Sequence, residues 1–267
     1  MKKINYLGKE IAYYESEEGE GLPIVLLHGF CEDSRMWDEW LPKLPSYRTY
    51  LLVDLPGFGD SEMLEETSME NMAGAVAAVL EECGIKKCVL VGHSMGGYVG
   101  LEFAKKYSEK LAGLCLFHSH PFADAEEKKE ARLKAVDFIN KNGHILYVRQ
   151  MIPKLFAYDY SKGYQSEVNR LIYFASKYKP EAIIAALRAM RLRPDNSEVL
   201  KNIKCPVQFI IGKDDSAIPY ELSMAQAHLP NIADIQILPN VGHMGMFKEP
   251  RKTAKKFKEF LKLVIGD

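Results

Sequence analysis

Short apolar runs at residues 23–27, 50–53, 88–91 and 111–117 punctuate the first half of the chain, with little polar alternation inside any of them. Such runs predict strands buried on both faces, as a parallel sheet covered by helices requires. Between them the period lengthens: residues 69–83 and 95–107 carry helical apolar spacing. Ahead of them, alternation on both sides of Gly8 predicts an N-terminal hairpin of residues 3–7 and 10–15, followed by an acidic loop at 15–21. Strands at 207–211 and 235–238 and helices at 220–228 and 248–264 complete the pattern. The last helix is rich in lysine and turns Phe257, Phe260 and Leu261 inward. Strand and helix alternate, which implies a doubly wound, mostly parallel sheet with ligands gathered at the carboxyl ends of its strands.

The alternation stops between Pro121 and about Leu200. Asp124-Ala125-Glu126-Glu127 resembles a capping box, and the helix it opens runs through Arg132, Val136 and Ile139 to stop near Asn142-Gly143. Further helical patterns follow at 145–156, 165–177 and 180–191. With no strand pattern inside, residues 121–200 read as a helical lid inserted after the sixth strand, and residues 1–120 and 201–267 as the α/β core around it.

Charge narrows the partners. The 35 basic and 36 acidic side chains nearly cancel, which gives no electrostatic reason to expect nucleic acid or an anionic membrane surface. The two lysines at the N-terminus have no apolar stretch behind them, and no segment reaches the length that spans a bilayer. Five cysteines without metal-ligand spacing or CxxC pairing suit a reducing compartment. The expectation is a cytoplasmic protein acting on a small, largely apolar molecule, without cofactor or metal; oligomeric state is not legible.

Chemistry enters at Gly92-His93-Ser94-Met95-Gly96, where an apolar strand turns into a helix. A residue at such a bend is strained and exposed above the sheet, and small residues two positions either side let strand and helix approach. A serine there needs a histidine to take its proton and an acid to fix that histidine's tautomer. Val241-Gly242-His243 follows the last predicted strand, and Gly212-Lys213-Asp214-Asp215 follows the one before it. The order Ser94, Asp215, His243 matches nucleophile, acid, base.

Several motifs in the right order then make the chain resemble an α/β-hydrolase-fold protein of the cap-bearing, esterase-like kind over nearly its whole length. His28-Gly29-Phe30 resembles the family's His-Gly loop, with Trp37 at the spacing often seen after it. Asp54-Leu55-Pro56-Gly57-Phe58-Gly59-Asp60-Ser61 resembles its Asp-x-Pro-Gly-x-Gly-x-Ser loop, and Gly212 to Pro219 its acid loop. The resemblance implies a sheet of about eight strands, a Ser94–Asp215–His243 triad and an oxyanion hole from the backbone N–H groups of Phe30 and Met95. Of the two adjacent carboxylates, the family's Gly-x-x-Asp-x-x-x-Pro spacing selects Asp215 over Asp214. It makes Asp54 a structural residue.

The other histidines have plainer readings. His28 packs behind the oxyanion loop, His93 points off the elbow, and His144 and His228 belong to helices. His118 and His120, at i and i+2, lack an apparent third metal ligand, so one borders the pocket and the other packs. His120, Phe122, Tyr147 and Met151 are the pocket candidates among aromatic and methionine side chains that otherwise pack the lid. The expected activity is hydrolysis of a small or medium ester through an acyl-enzyme. The same machinery also serves C–C hydrolases, perhydrolases and lyases, and a ligand sensor built on a hydrolase pocket is the competing class.

Overall fold

The computed structural model describes residues 1–16, 19–157 and 165–265, so the acidic loop at 15–21 lies partly outside the described residues. One eight-stranded sheet runs in the order β1-β2-β4-β3-β5-β6-β7-β8. β1 (Lys2–Tyr6) and β2 (Lys9–Glu15) form the hairpin, and β2 lies antiparallel to β4 (Tyr50–Val53). β3 (Ile24–Leu27) pairs in parallel with both β4 and β5 (Cys88–His93); β6 (Leu111–Phe117), β7 (Val207–Gly212) and β8 (Ala233–Leu238) extend the parallel sheet. Every residue of β3, β4, β5 and β7 is buried, which is why these strands read as unbroken apolar runs.

The edge strand β8 departs from that pattern. It begins two residues earlier than its apolar run and alternates exposed and buried positions toward its end, leaving Ile235 and Ile237 exposed. Helices α1 (Met69–Glu82) and α2 (Met95–Lys106) follow β4 and β5. α1 starts where Ser68 Oγ accepts from the Asn71 N–H at 3.0 Å, satisfying one of the helix's unpaired donors. Between β6 and β7 lie α3 (Glu126–Asn142), α4 (His144–Met151), α5 (Gln165–Ala175), α6 (Pro180–Leu192) and the short α7 (Ser197–Asn202), which the sequence reading did not anticipate.

The capping box does not form. α3 is capped at Ala125 without a side-chain hydrogen bond, and the Asp124 carboxylate instead pairs with Arg132 and Arg193. After β7, α8 (Tyr220–Ala225) ends short of His228, which lies in a turn. The predicted last helix is two: α9 (Gly245–Lys248) and α10 (Pro250–Ile265). Pro250 divides them, since the residue before proline is driven out of the helical region and proline fits the first turn of the next helix. α10 buries Phe257, Phe260 and Leu261 as its spacing requires. Phe257 meets Trp40 at 5.3 Å between ring centroids, and Trp40 meets Trp37 and Phe117 at 5.2 and 5.7 Å. Truncating one of these rings opens a cavity worth about 3–5 kcal/mol.

Sheet order decides where a site can be. The chain leaves β3 toward β4 on one side and returns to β5 on the other, so the loops after β3 and β5 part at a topological switch point. Leu27 and Gly92 pair in register there, bringing the His28 loop beside the Ser94 turn.

Candidate active site

Ser94 sits between β5 and α2 with φ +49° and ψ −112°, a strained conformation for a residue with a side chain. The bend needs its flanking glycines. A Cβ on Gly92 would lie 2.4 Å from Gly96 O, and one on Gly96 would lie 2.6 Å from the carbonyl oxygens of Leu27 and His28. Ser94 N–H is anchored to Phe117 O at 3.0 Å. Among the described residues, the Phe30 and Met95 N–H groups engage no other backbone carbonyl.

His243 and Ser94 border one cavity, although no hydrogen bond joins the Ser94 hydroxyl to the imidazole. The His243 Nδ1–H donates to Asp215 Oδ2 at 2.7 Å, while Asp215 Oδ1 accepts from the N–H groups of Ala217 and Ile218 at 2.8 and 2.9 Å. Burial would raise the Asp215 pKa, but His243 and the hydrogen bonds from His243 and His118 outweigh it and hold the carboxyl well below the usual range. Asp214, one residue away, is exposed.

His118 is drawn into the same cluster. Its backbone is left-handed, with φ +49°, and its ring lies 3.4 Å from Asp215 Oδ2. Backbone N–H groups approach both ring nitrogens, that of Gly212 at Nδ1 and that of Gly245 at Nε2, each at 3.2 Å. Burial pulls the His118 pKa down to about 4, so the ring is neutral at pH 7. Spacing in the sequence suggested no third ligand beside the histidine pair; folding brings His118, Asp215 and His243 within 4.8 Å of one another. All three are engaged in the hydrogen bonds just described.

His93 does not point away from the site. Its Nδ1 meets Glu32 Oε2 at 2.9 Å and its Nε2 meets His243 O at 3.0 Å, and both side chains are buried. Burial lowers the His93 pKa, yet the Glu32 charge and hydrogen bond raise it overall; His93 in turn lowers that of Glu32. Glu32 also accepts from the Gly29 N–H at 2.7 Å. One chain of contacts thus links the loop after β3, the residue before Ser94 and the peptide of His243. Glu32 was absent from the candidates read from sequence; the signal for it was a buried-type histidine beside the serine that needed a partner.

His28 behaves as expected: its Nε2 accepts from Leu55 N–H at 2.8 Å and its ring is fully buried. Asp54 is likewise structural, accepting from the N–H groups of Ser34 and Asp60 at 2.9 Å each.

Of the four pocket candidates, Tyr147 and Met151 line the cavity and His120 and Phe122 do not. His120 is stacked on Phe122 and lies 3.4 Å from the hydroxyl of Tyr98, which lines the cavity in its place. The cavity holds about 640 Å³ including its open mouth, the size of a small-molecule site. Phe30, Leu155, Met190 and Ile218 add apolar wall, and Lys128 and Arg132 of α3 add charge.

The segment between β6 and β7 touches the loops that carry Asp215 and His243 directly. His243 N–H donates to Leu155 O at 2.7 Å, Ser216 Oγ–H to Lys154 O at 2.8 Å, and the Lys128 ammonium to Ala217 O at 3.2 Å. A Cβ on Gly242 would lie 2.8 Å from Ala157 N.

Known proteins give this architecture a context. The chain is 29% identical over 258 residues to 2-succinyl-6-hydroxy-2,4-cyclohexadiene-1-carboxylate synthase of Enterobacter sp. strain 638, covering 92% of this chain and 95% of that protein. It is 28% identical over 249 residues to a pimeloyl-[acyl-carrier protein] methyl ester esterase of Methylococcus capsulatus, covering 91% and 96%. A thermophilic esterase from Thermogutta terrifontis, solved with malate bound, superposes with a TM-score of 0.91 at 29% identity over 99% of both chains. With residues 24–256 matched by the model of the alpha/beta hydrolase family, the chain belongs to that family.

Proposed function

We propose that the protein is a serine hydrolase that cleaves a small or medium carboxylic ester through an acyl-enzyme. The observation that carries this reading is Ser94 held on a strained turn at a cavity that it shares with a His243 already paired to a buried Asp215. Ser94 Oγ attacks the acyl carbon as His243 Nε2 takes its proton, with Asp215 fixing the tautomer through Nδ1–H. The N–H groups of Phe30 and Met95 hold the oxyanion; each such donor is worth about 2.7–4 kcal/mol in the transition state. His243 then protonates the departing alcohol and activates the water that releases the acid. The Ser94–His243 hydrogen bond forms with substrate, as such contacts often tighten only in the reacting complex.

The helices between β6 and β7 act as a lid whose Tyr147 and Met151 shape the acyl or alcohol pocket. No described helix is long and apolar enough to cross a membrane, and the five unpaired cysteines fit a reducing cytoplasm. The similarity to a methyl ester esterase and to an esterase of known structure supports the ester reading, while the synthase relative keeps chemistry other than ester hydrolysis as the next reading.

Hydrolysis of p-nitrophenyl esters from acetate to octanoate by the wild type and by Ser94→Ala tests the proposal. Turnover on at least one ester that falls at least about 10⁴-fold in the variant is expected. A folded wild type with no Ser94-dependent turnover on any of them would overturn it and bring lyase or C–C chemistry forward.

A further inference from the structure

The cavity contains two cations for which simple ester hydrolysis has no use. Lys128 and Arg132 stand one turn apart on one face of α3, and both line the cavity bordered by Ser94 and His243. Arg132 is held in place: its Nε and Nη2 engage the Asp124 carboxylate, and Nη1 lies 3.4 Å from Met190 Sδ. Asp124 is shared, since Arg193 Nη1 reaches the same carboxylate at 2.7 Å.

Two guanidinium groups therefore share one carboxylate, and Lys128 makes no ion pair with it. Its ammonium donates to the Ala217 carbonyl at 3.2 Å, and among the described residues no carboxylate pairs with it. Glu32, the acidic side chain on the cavity wall, is committed to His93 and to the Gly29 N–H. Crowding by surrounding protein and the Arg132 charge lower the Lys128 pKa and outweigh the Asp124 and Asp215 charges, which raise it. The surplus positive charge thus opens onto the space where substrate must lie.

We propose that Lys128, backed by Arg132, is an anion subsite that binds a free carboxylate on the substrate, so that the preferred esters are monoesters of dicarboxylic acids. This rests on the ester reading above and specifies its substrate class. A carboxylate there takes a charge-assisted hydrogen bond from an ammonium that already lies at the cavity, and the Arg132 guanidinium, fixed by Asp124, adds its charge without having to be ordered on binding.

The test compares monoethyl succinate, glutarate and adipate with ethyl hexanoate as the neutral counterpart, with acid release followed by pH-stat. The ratio of kcat/KM, best monoethyl dicarboxylate over ethyl hexanoate, is expected to exceed about ten in the wild type, the size of one charge-assisted hydrogen bond. In Lys128→Gln this ratio falls about tenfold through KM for the anionic ester, and Lys128→Arg restores most of it. Added salt lowers the wild-type ratio and leaves that of Lys128→Gln flat. A wild type that disfavours the monoesters, or a ratio that Lys128→Gln does not change, would overturn the proposal.

A binding measurement separates this from failure of the ester chemistry. Calorimetric titration of Ser94→Ala with adipate reads the subsite without turnover. Binding that weakens about tenfold in Ser94→Ala/Lys128→Gln sustains the subsite even if no ester is hydrolysed, whereas equal or absent binding in both overturns it.

Discussion

The strand ends and the inserted helices meet at one cavity but are built on different principles. On the strand side, position is set by backbone: a strained Ser94 between glycines that tolerate no Cβ, His243 fixed by a short hydrogen bond to Asp215, and His28 locked to Leu55 N–H. On the inserted side, position is set by side chains. α3 buries only Val136 and Ile139 of its 17 residues and is tied at its start by Asp124, Arg132 and Arg193. The proposed function thus puts chemistry where the fold allows no freedom, and recognition where single residues can change without moving the sheet.

Breaking the strand side should cost activity far more than stability. Asp215→Asn, which keeps the shape and loses the charge, is expected to lower kcat about 10⁴-fold on the best p-nitrophenyl ester. Its thermal midpoint should move much less than that loss would suggest, as a melting curve beside the kinetic assay would show. A variant that simply unfolded would erase the contrast.

The inserted side should show the opposite balance. Asp124→Ala leaves Arg132 and Arg193 without their shared carboxylate, and breaking a buried pair in this way costs about 3–5 kcal/mol. Urea unfolding of the variant against the wild type measures it. A loss below about 1 kcal/mol would mean that helix packing, not the ion cluster, anchors α3.

Acid sharpens the comparison, because two buried neutral histidines follow β6, one facing each side. His118, beside Asp215, has its pKa pulled down to about 4 by burial; His120, stacked on Phe122, has its pKa pulled down to about 3 by burial and by Arg193. Unfolded, both titrate near 6.5. Because their folded values are depressed, the stability they contribute is complete above about pH 6.5 and is lost as pH falls toward 4. Each removes about 1.4 kcal/mol per pH unit in that window. His93, whose pKa is raised, acts with the opposite sign and only above about 6.5. Urea titrations from pH 7 to 4.5 should give a slope near two protons, halved by His120→Gln; an unchanged slope would place the proton uptake elsewhere.

The smallest effect concerns the seam itself. Ser216→Ala removes the hydroxyl that donates to Lys154 O, an exposed hydrogen bond worth about 1 kcal/mol or less, and the same unfolding assay reads it. A larger loss would show that the two sides are joined more tightly than their separate designs suggest.

This division also explains what could be read in advance. The strands and the bend at Ser94 follow from local rules, unbroken apolar runs and glycine flanks, whereas the choice of Asp215 over Asp214 came from the family resemblance. The helices of the insertion were legible as helices, yet their orientation about the cavity was not, because apolar spacing marks a buried face without saying what it is buried against. Tyr147 and Met151 therefore line the cavity, whereas His120 lies behind Tyr98. Asp124 looked like a cap because Glu127 follows at the right distance; two arginines, one of them 69 residues away, compete for its carboxylate and win. Glu32 and His118 escaped for a similar reason, since their partners are distant in sequence and come together only through the order of the strands.

The hydrogen bond from the His243 peptide to Leu155 O has an implication for how such proteins diversify. Substrate range in a scaffold of this kind is most simply altered by exchanging the whole stretch between β6 and β7. Here such a graft would remove an acceptor from the peptide of the proposed base and another from Ser216, and would expose Gly242 to a new neighbour. An exchange that keeps the enzyme working must carry residues 152–157 with the host, or bring the 212–243 loops along with the donor. The unit of inheritance is therefore larger than the inserted helices, and its boundary runs through the site.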